Sequence, residues 1–425
     1  MPNFKATLVS SFALFSLFFG AGNLILPPLL GFQSGSWWWL VALGFAVSAV
    51  LIPIMGILAH AKLQGTIYDF GKKVSPTFSL VYSILIYVIS IGLPSPRTAA
   101  VTHEIAVQPF FNTSPLVTSI VYFSLVFVFV INRSSILDIL GKVLTPAIIL
   151  ILVLIIGITI FTLDFNFGET GIISPFSDGI LEGYQTFDAI GAVVVGGVII
   201  VSINLKSNAS YKDKKTLIRN AGWLAGFSLF IIYAGLILSG ALNHTNFETN
   251  ITRIDLLSGI SKITLGYTAN VLLSILVSLA CFTTAIGIVT GTSDFIKDRL
   301  PNARHAYLIT AIMGCLLGIL MGQFNVAYII TIAFPALMFI YPITIILILL
   351  NVVSDKWASP IVFKAVVITT IVFSIPDFLG SLGDLAPNKE AFDWIPLSEY
   401  RLGWVLPAVV IYAITNVFAK KGKVV

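Results

Sequence analysis

The sequence predicts an all-α polytopic membrane protein with about twelve transmembrane helices, and composition and hydropathy together carry this prediction. Of the 425 residues, 57% are apolar and only 10% are charged, whereas about 25% of the residues in soluble domains are charged. The mean hydropathy is +0.99. Apolar runs such as 147–156 are unbroken, whereas the strands of outer-membrane barrels alternate between apolar and polar residues. A soluble fold and an outer-membrane barrel are therefore excluded.

Twelve apolar segments approach the roughly 20 residues that a helix needs to cross the hydrocarbon core of a bilayer. Their approximate limits are 6–30, 36–61, 76–98, 115–131, 137–162, 179–204, 218–242, 265–292, 304–322, 325–352, 358–380 and 403–420. The first segment follows a single lysine and has no small-residue cleavage site before a polar stretch. We therefore expect a retained span rather than a signal peptide.

The basic residues predict the orientation, because Lys and Arg concentrate in cytoplasmic loops. With the N-terminus inside, the outer side holds only Arg97, Arg253, Lys262, Lys389 and Arg401, and Lys364 lies within a span. The other 18 of the 24 Lys and Arg residues then lie on the inner side. We expect a multi-pass protein of the cell membrane with both termini in the cytoplasm. Because these residues are spread among short loops, the net charge of +5 does not indicate nucleic acid binding.

The first span contains helix-breaking residues near its middle. The run from Gly20 to Pro28 combines two glycines, Asn23 and a pair of prolines. Irregular backbone at membrane depth is tolerated only where it is buried in protein or lines a cavity. We therefore expect an interrupted helix with free carbonyl and amide groups at this point. Close helix packing through small residues is the alternative explanation.

The sixth span carries a second candidate break, in the segment 183–192, and an acidic residue deep within the membrane, Asp188. Asp188 lies about ten residues, or roughly 15 Å, from the outer end of the span. An ionisable group at this depth is energetically expensive and indicates a functional site. A structural carboxylate that is hydrogen-bonded to a neighbouring helix is the alternative. If the site is functional, Asp188 is the counter-charge for a substrate ammonium group, a cation or a proton.

The two breaks lie in spans one and six, an offset of five spans, which predicts an inverted repeat. Because five is odd, the sixth helix enters the membrane from the side opposite to the first, and the two broken helices meet at the midplane. We expect a first repeat over 1–162, a second over 163–352 and two accessory helices over 353–425. This 5+5 arrangement is typical of secondary transporters, in which helix N-termini face an anionic group and freed carbonyls bind a cation.

The sequence lacks the residues that other functional classes of membrane protein need. No loop is long enough for an ATPase domain, and neither a phosphate-binding loop nor a hydrolase nucleophile motif is present. A channel needs a continuous polar pore, whereas the polar groups here cluster at one depth. We therefore expect a transporter and not an enzyme, with a small solute and the lipid bilayer as its partners and no obligatory protein partner.

Two further segments contain polar residues at informative positions. Thr283 and Thr284 in the eighth span either bond back to the preceding helical turn or supply hydroxyl oxygens to a cation site beside the broken first helix. In the third span, Arg97 follows a Gly-Leu-Pro break near the outer end, where its side chain is expected to reach the surface. His103 and Glu104 follow at the outer margin and are expected to be solvated.

The segment 14–28, with Gly20-Ala21-Gly22-Asn23 at its centre, closely resembles the opening signature of the BrnQ branched-chain amino-acid:cation symporters. The segments 96–99, 183–189 and 340–342 are also similar to motifs of that family. The resemblance covers essentially the whole chain. It implies import of leucine, isoleucine and valine driven by sodium, with protons as the alternative coupling ion. A symporter of the same fold for another neutral amino acid or an amine is the alternative function.

More distantly, the same motif resembles the unwound first helix of the LeuT-fold transporters. This resemblance implies a Na⁺ site and a substrate site. The implied Na⁺ ligands are the carbonyls of Ser16, Phe19 and Ala280 and the hydroxyls of Thr283 and Thr284. The implied substrate site comprises Phe18, Gly20, Ala21, Gly22, Asn23, Phe187, Asp188, Ala189 and Ile190. In it, the amides of Ala21 and Gly22 face the substrate carboxylate and carbonyls near Phe18 and Phe187 face its ammonium group, while Phe18, Phe187 and Ile190 form apolar walls.

Overall fold

The computed structural model describes residues 4–132, 142, 144–206, 210–382 and 392–421, which form α-helices, short 3₁₀ and π segments and loops, without a strand. Eight helical stretches in this part of the chain are long and apolar enough to cross a membrane. Four shorter apolar helices accompany them, at Phe4–Phe18, Pro115–Ile131, Ala306–Met321 and Val405–Phe418. The predicted all-α polytopic architecture is therefore confirmed.

The helices, numbered in chain order, are α1 (Phe4–Phe18), α2 (Ala21–Ser34), α3 (Trp38–Ala46), α4 (Ile52–Leu63), α5 (Ile67–Gly71), α6 (Pro76–Gly92), α7 (Pro94–Val101), α8 (Pro115–Ile131), α9 (Thr145–Thr162), α10 (Pro175–Tyr184), α11 (Asp188–Lys206), α12 (Tyr211–Leu242), α13 (Arg253–Leu265), α14 (Ala269–Arg299), α15 (Ala306–Met321), α16 (Val326–Val352), α17 (Pro360–Gly380) and α18 (Val405–Lys421). A π-helical segment at Val47–Leu51 joins α3 and α4 within span two, and another at Thr102–Val107 continues span three beyond α7. The first residues of the fifth predicted span, 137–141 and 143, lie outside the described residues.

Both predicted helix breaks are present. The first span is interrupted at Phe19 and Gly20, between α1 and α2, and the sixth at residues 185–187, between α10 and α11. Phe187 adopts a φ of 64°, a left-handed conformation that costs a non-glycine residue of order 1–3 kcal/mol and is concentrated at functional sites. The Pro pair does not make the first break, because Pro27 and Pro28 lie inside α2. As prolines lack an N–H, they leave two carbonyls of the preceding turn without their helical donors.

The broken helices pack against spans seven and two in equivalent ways. Helices α1 and α2 lie on α12, and helices α10 and α11 lie on α3 and α4. The backbones approach so closely that a Cβ atom built on Gly31 of α2 would lie 1.8 Å from the carbonyl oxygen of Ile237 on α12. A Cβ atom on Gly179 of α10 would lie 2.3 Å from the carbonyl oxygen of Val41 on α3. Small residues thus hold each broken helix against its neighbour.

We expect Gly31→Ala to lower the thermal unfolding temperature in detergent, because the added methyl group meets the backbone of α12 rather than a side chain that can rotate. Overpacking of this kind typically costs about 1–3 kcal/mol. Gly157→Ala is the matched control, since a Cβ atom on Gly157 has no atom within 4 Å. Equal melting temperatures for the two variants would contradict the close packing of α2 on α12.

Candidate functional site

A small, largely buried cavity lies where the breaks in the first and sixth spans meet. Its volume is about 30 Å³, and since a water needs about 10–15 Å³ by this measure, the space fits roughly two water molecules. The lining residues are Leu17, Phe18, Gly20, Ala21, Gly22, Asn23, Ser90, Pro94, Arg97, Thr98, Thr186, Phe187, Asp188, Ile190, Gly191, Val194, Val195, Thr284 and Ile288. The cavity is therefore enclosed by spans one, three, six and eight.

The structure brings eight of the nine predicted substrate-site residues to this cavity. Ala189 is the exception, as its amide donates a hydrogen bond to the hydroxyl oxygen of Tyr341 at 3.0 Å. The carbonyl of Phe187, predicted to face an ammonium group, accepts the amide of Gly191 at 2.7 Å and so is engaged in the first turn of α11. The participation of these residues in binding remains a prediction.

Asp188 is buried and hydrogen-bonded to two other spans. Its Oδ2 accepts the side-chain amide of Asn23 at 2.6 Å and the hydroxyl of Tyr233 at 3.1 Å. Asn23 in turn accepts the amide of Gly20 through Oδ1 at 3.1 Å, so its side chain bridges the first break to Asp188. These bonds agree with the alternative given by the sequence, in which Asp188 is a structural carboxylate that is hydrogen-bonded to a neighbouring helix. They use one carboxylate oxygen, and Asp188 also lines the cavity.

Arg97 does not reach the surface, contrary to the sequence-based prediction. Its exposed fraction is 2% and it lines the cavity. Nη1 donates to the carbonyl oxygen of Gln185 at 2.8 Å, and the guanidinium carbon lies 5.1 Å from the centre of the Phe187 ring. The third span is interrupted at Leu93 and restarts as α7, which is wholly buried. The restart therefore places the arginine against the broken sixth helix.

The predicted solvation of His103 is also wrong, whereas Glu104 is only partly buried. His103 is 5% exposed, and its Nδ1 lies 2.8 Å from the hydroxyl oxygen of Thr118. The carboxylate of Glu104 accepts the amide of Val326 at 2.9 Å, at the start of α16. Both lie in the π turn that continues the third span to Val107, nine residues beyond the predicted end at 98. The additional turn packs against neighbouring helices through Thr102, His103 and Ile105, which are buried.

The predicted cation ligands other than the Phe19 carbonyl form a cluster of neutral oxygens between α1 and α14. The hydroxyl of Thr283 lies 2.7 Å from the carbonyl oxygen of Ser16 and 3.0 Å from that of Ala280. The hydroxyl of Thr284 lies 3.3 Å from the carbonyl oxygen of Ala280 and 3.5 Å from that of Leu17. Both threonines thus bond back to their own helix and also reach the first span. Back-bonding within the helix and a place beside the broken first helix are therefore not exclusive.

Two further observations bear on this oxygen cluster. The hydroxyl of Ser16 is buried and has no hydrogen-bond partner, although a buried hydroxyl without a partner is unfavourable. A Cβ atom on Gly20 would lie 2.6 Å from the hydroxyl oxygen of Thr284, so glycine is needed where the first break approaches α14. The donor set consists of hydroxyl and carbonyl oxygens, which suit a hard cation such as Na⁺. No contact places the Phe19 carbonyl in the cluster.

Ion pairs lie at the two ends of the bundle. On α10, Glu182 accepts Arg253 of α13 at 2.8 Å and the side-chain amide of Gln185 at 2.7 Å. At the end of α16, Asp355 pairs with Lys73 at 2.7 Å and with Lys62 at 3.4 Å. The hydrogen bond and charge of Lys73, assisted by Lys62, hold the pKa of the Asp355 carboxyl below its usual value. These contacts join different elements on either side of the cavity.

Sequence reasoning missed Arg97 and the tyrosines Tyr233 and Tyr341 as parts of the site. The break beside Arg97 was visible, but a position near the predicted end of a span indicated the surface. Tyr233 lies in an apolar helix without a break, and nothing in its neighbourhood indicates a partner 45 residues away. A Pro follows Tyr341 in the tenth span, which is a weak signal of irregular packing.

Comparison with known proteins identifies relatives over almost the whole chain. The family described as branched-chain amino acid transport protein matches residues 3–422. The chain is 32% identical to the branched-chain amino acid transport system 2 carrier protein of Pseudomonas aeruginosa, over 94% of this chain and 93% of that protein. It is 31% identical to the branched-chain amino acid permease BraB of Bacillus subtilis, over 96% and 94% respectively.

Solved structures of transporters share the fold. A Na⁺-coupled sialic acid symporter in a substrate-bound, outward-open state superposes with a TM-score of 0.61 at 14% identity, over 97% of this chain and 90% of that chain. MhsT in complex with L-phenylalanine superposes with a TM-score of 0.54 at 15% identity, over 96% and 97% respectively. At this identity the likeness concerns the fold, and it confirms the predicted LeuT-like arrangement with broken first and sixth helices.

Proposed function

We propose that this chain, which belongs to the branched-chain amino acid transport protein family, imports leucine, isoleucine and valine across the cell membrane by symport with Na⁺. The observation that carries the proposal is the largely buried cavity between the two broken helices, in which apolar walls lie beside buried polar groups. Protons are the alternative coupling ion. The same fold with another neutral amino acid or an amine as substrate is the alternative function.

The cavity offers the chemistry that a neutral apolar amino acid needs. Phe18, Ile190, Val194 and Ile288 supply apolar surface. The carboxylate of Asp188 is a counter-charge for an ammonium group, and it is buried enough for that attraction to be strong. The first amides of α2, at the break, have no acceptor within their own helix and carry the positive end of its dipole. A zwitterion with an apolar side chain fits this combination.

Na⁺ as the coupling ion is supported by the oxygen cluster between α1 and α14. Its members are neutral, so a monovalent cation binds without the excess attraction of a carboxylate. Thr284 belongs to the oxygen cluster and also lines the cavity, while Gly20 lies against its hydroxyl. Binding of a cation there would fix the first break in one arrangement and so favour substrate binding, which is a coupling between two sites.

The small volume of the cavity supports alternating access. Leucine is much larger than two waters, so the helices around the cavity must separate to admit it. The equivalent packing of α1 and α2 on α12, and of α10 and α11 on α3 and α4, supports two inverted repeats over 1–162 and 163–352 with accessory helices over 353–425. With both termini in the cytoplasm, Glu182 and Arg253 lie on the outer side and Asp355 on the inner side. Each ion pair then contributes to closing one entrance.

The test is counter-flow of radiolabelled leucine into proteoliposomes that contain the purified chain, with and without Na⁺. We expect leucine exchange that is accelerated by Na⁺ on the same side. Exchange that follows pH and ignores Na⁺ would assign protons as the coupling ion. Absence of leucine exchange, together with exchange of another neutral amino acid or an amine, would favour the alternative substrate.

The apolar walls predict how closely related substrates compete. One methylene group in an apolar pocket changes the transition-state free energy by about 1–3 kcal/mol, so leucine, isoleucine and valine are expected to compete within roughly 10–200-fold of one another. Competition of each unlabelled amino acid against labelled leucine measures this ratio. Lysine or glutamate competing equally well would contradict an apolar pocket, because a side-chain charge there would lose its hydration without a partner.

A further inference from the structure

We propose that Arg97 binds the carboxylate group of the substrate and thereby makes the site specific for amino acids over amines. The inference rests on the proposed function, since it concerns how the same cavity recognises its substrate. It assigns the carboxylate to a side chain of the third span in addition to the amides of the first.

The first argument is that the buried guanidinium group of Arg97 has fewer hydrogen-bond acceptors than donors. Arg97 is 2% exposed, and a guanidinium group presents five N–H donors. One hydrogen bond runs from Nη1 to the carbonyl oxygen of Gln185, while Nε is buried without a partner. No carboxylate of the described residues lies within 4.0 Å of the guanidinium, and Asp188 is hydrogen-bonded to Asn23 and Tyr233. A buried charge with one neutral acceptor is unfavourable unless an anion completes its environment.

The second argument is the position of the guanidinium at the start of α2. A Cβ atom on Gly22 would lie 2.4 Å from Nη2 of Arg97, so the absence of a side chain at Gly22 lets the arginine approach the first turn of the helix. The free amides and positive dipole of that turn favour an anion at the same point. Guanidinium and helix N-terminus thus reinforce each other as an anion-binding site inside the cavity.

The third argument is the separation of charges. Arg97 and Asp188 line the same cavity, yet their charged atoms do not form an ion pair within 4.0 Å. Each charge is held by other groups, Arg97 by Gln185 and the Phe187 ring and Asp188 by Asn23 and Tyr233. A zwitterion between them would pair its carboxylate with the arginine and its ammonium group with the aspartate. An amine without a carboxylate would leave Arg97 unpaired.

The experiment compares binding of L-leucine and L-leucinamide to purified protein in Na⁺, at a pH where both amines are protonated. Leucinamide keeps the side chain and the ammonium group but lacks the anionic carboxylate. The unmodified protein is expected to prefer leucine strongly. Arg97→Gln is expected to weaken leucine binding by about 30-fold or more, the lower end of the range for losing one partner of a buried charge pair. Leucinamide binding is expected to change by less than about threefold. That is well below the tenfold change to which 1.4 kcal/mol corresponds.

Two further variants separate recognition from folding. Arg97→Lys keeps the charge without the planar fork and is expected to restore part of the preference for leucine. Arg253→Gln removes an arginine that pairs with Glu182 outside the cavity, and its ratio of leucine to leucinamide affinity is expected to match that of the unmodified protein. Equal losses of leucine and leucinamide binding in Arg97→Gln would overturn the inference in favour of a structural role. Failure of the unmodified protein to bind leucine would instead overturn the proposed function.

Discussion

The Asp188→Asn variant is expected to bind leucine less tightly by about 2–5 kcal/mol, the range for losing one partner of a desolvated charge pair. The substitution preserves size and removes the charge. An Asn side chain at 188 still accepts from Asn23 and Tyr233 through its carbonyl oxygen, so the contacts that join spans one, six and seven survive. The loss of leucine affinity therefore measures how much the negative charge of Asp188 contributes to binding the ammonium group. Equilibrium binding and uptake of labelled leucine, both across the physiological pH range, measure it.

The same measurements distinguish three roles of Asp188. Weak binding at every pH indicates the counter-charge for the ammonium group or a bound cation. Normal binding with uptake that no longer depends on pH indicates that Asp188 carries the coupled proton. Unchanged binding and uptake would show that the carboxylate only holds helices together. Asp178→Asn is the matched control, because this aspartate lies on α10 of the same span and does not line the cavity.

Replacing Thr283 and Thr284 together by Val is expected to raise the Na⁺ concentration for half-maximal leucine uptake by about tenfold or more. The change nearly preserves shape and removes two hydroxyl oxygens from the cluster between α1 and α14. A hydrogen bond to a charged group contributes about 1.5–3 kcal/mol, and 1.4 kcal/mol corresponds to tenfold. Uptake measured over a range of Na⁺ concentrations at saturating leucine gives the value.

A third threonine of the same helix provides the control. The hydroxyl of Thr292 is buried and bonds back to the carbonyl oxygen of Ile288 at 2.9 Å, and among the described residues it has no hydrogen bond to the first span. Thr292→Val is expected to leave the Na⁺ dependence unchanged. If the double variant of Thr283 and Thr284 folds, reaches the membrane and also keeps its Na⁺ dependence, the two hydroxyls serve only to bond back to their own helix.

Several features of the site were predictable because their signals are local. Gly20, Gly22 and Asn23 cannot continue a regular helix without cost, so the first break follows from their order in the chain. Asp188 stands out because an acidic residue is rare at membrane depth. The predicted end of the third span was wrong, however, since a polar run with Arg97, His103 and Glu104 indicates water by composition. In the structure, neighbouring helices satisfy these groups instead.

The sequence by itself determined that the chain is an all-α membrane protein, that spans one and six are broken, and that polar groups lie near the breaks. Composition, span length and helix-breaking residues are properties of short segments. They have the same effect on local structure wherever the segment lies in the fold. The tertiary structure decided which polar groups meet. Thr283 reaches Ser16 across 267 residues of sequence and Arg97 reaches Gln185 across 88. Such contacts depend on the face that each helix turns to its neighbours, which is set by the packing of the whole bundle.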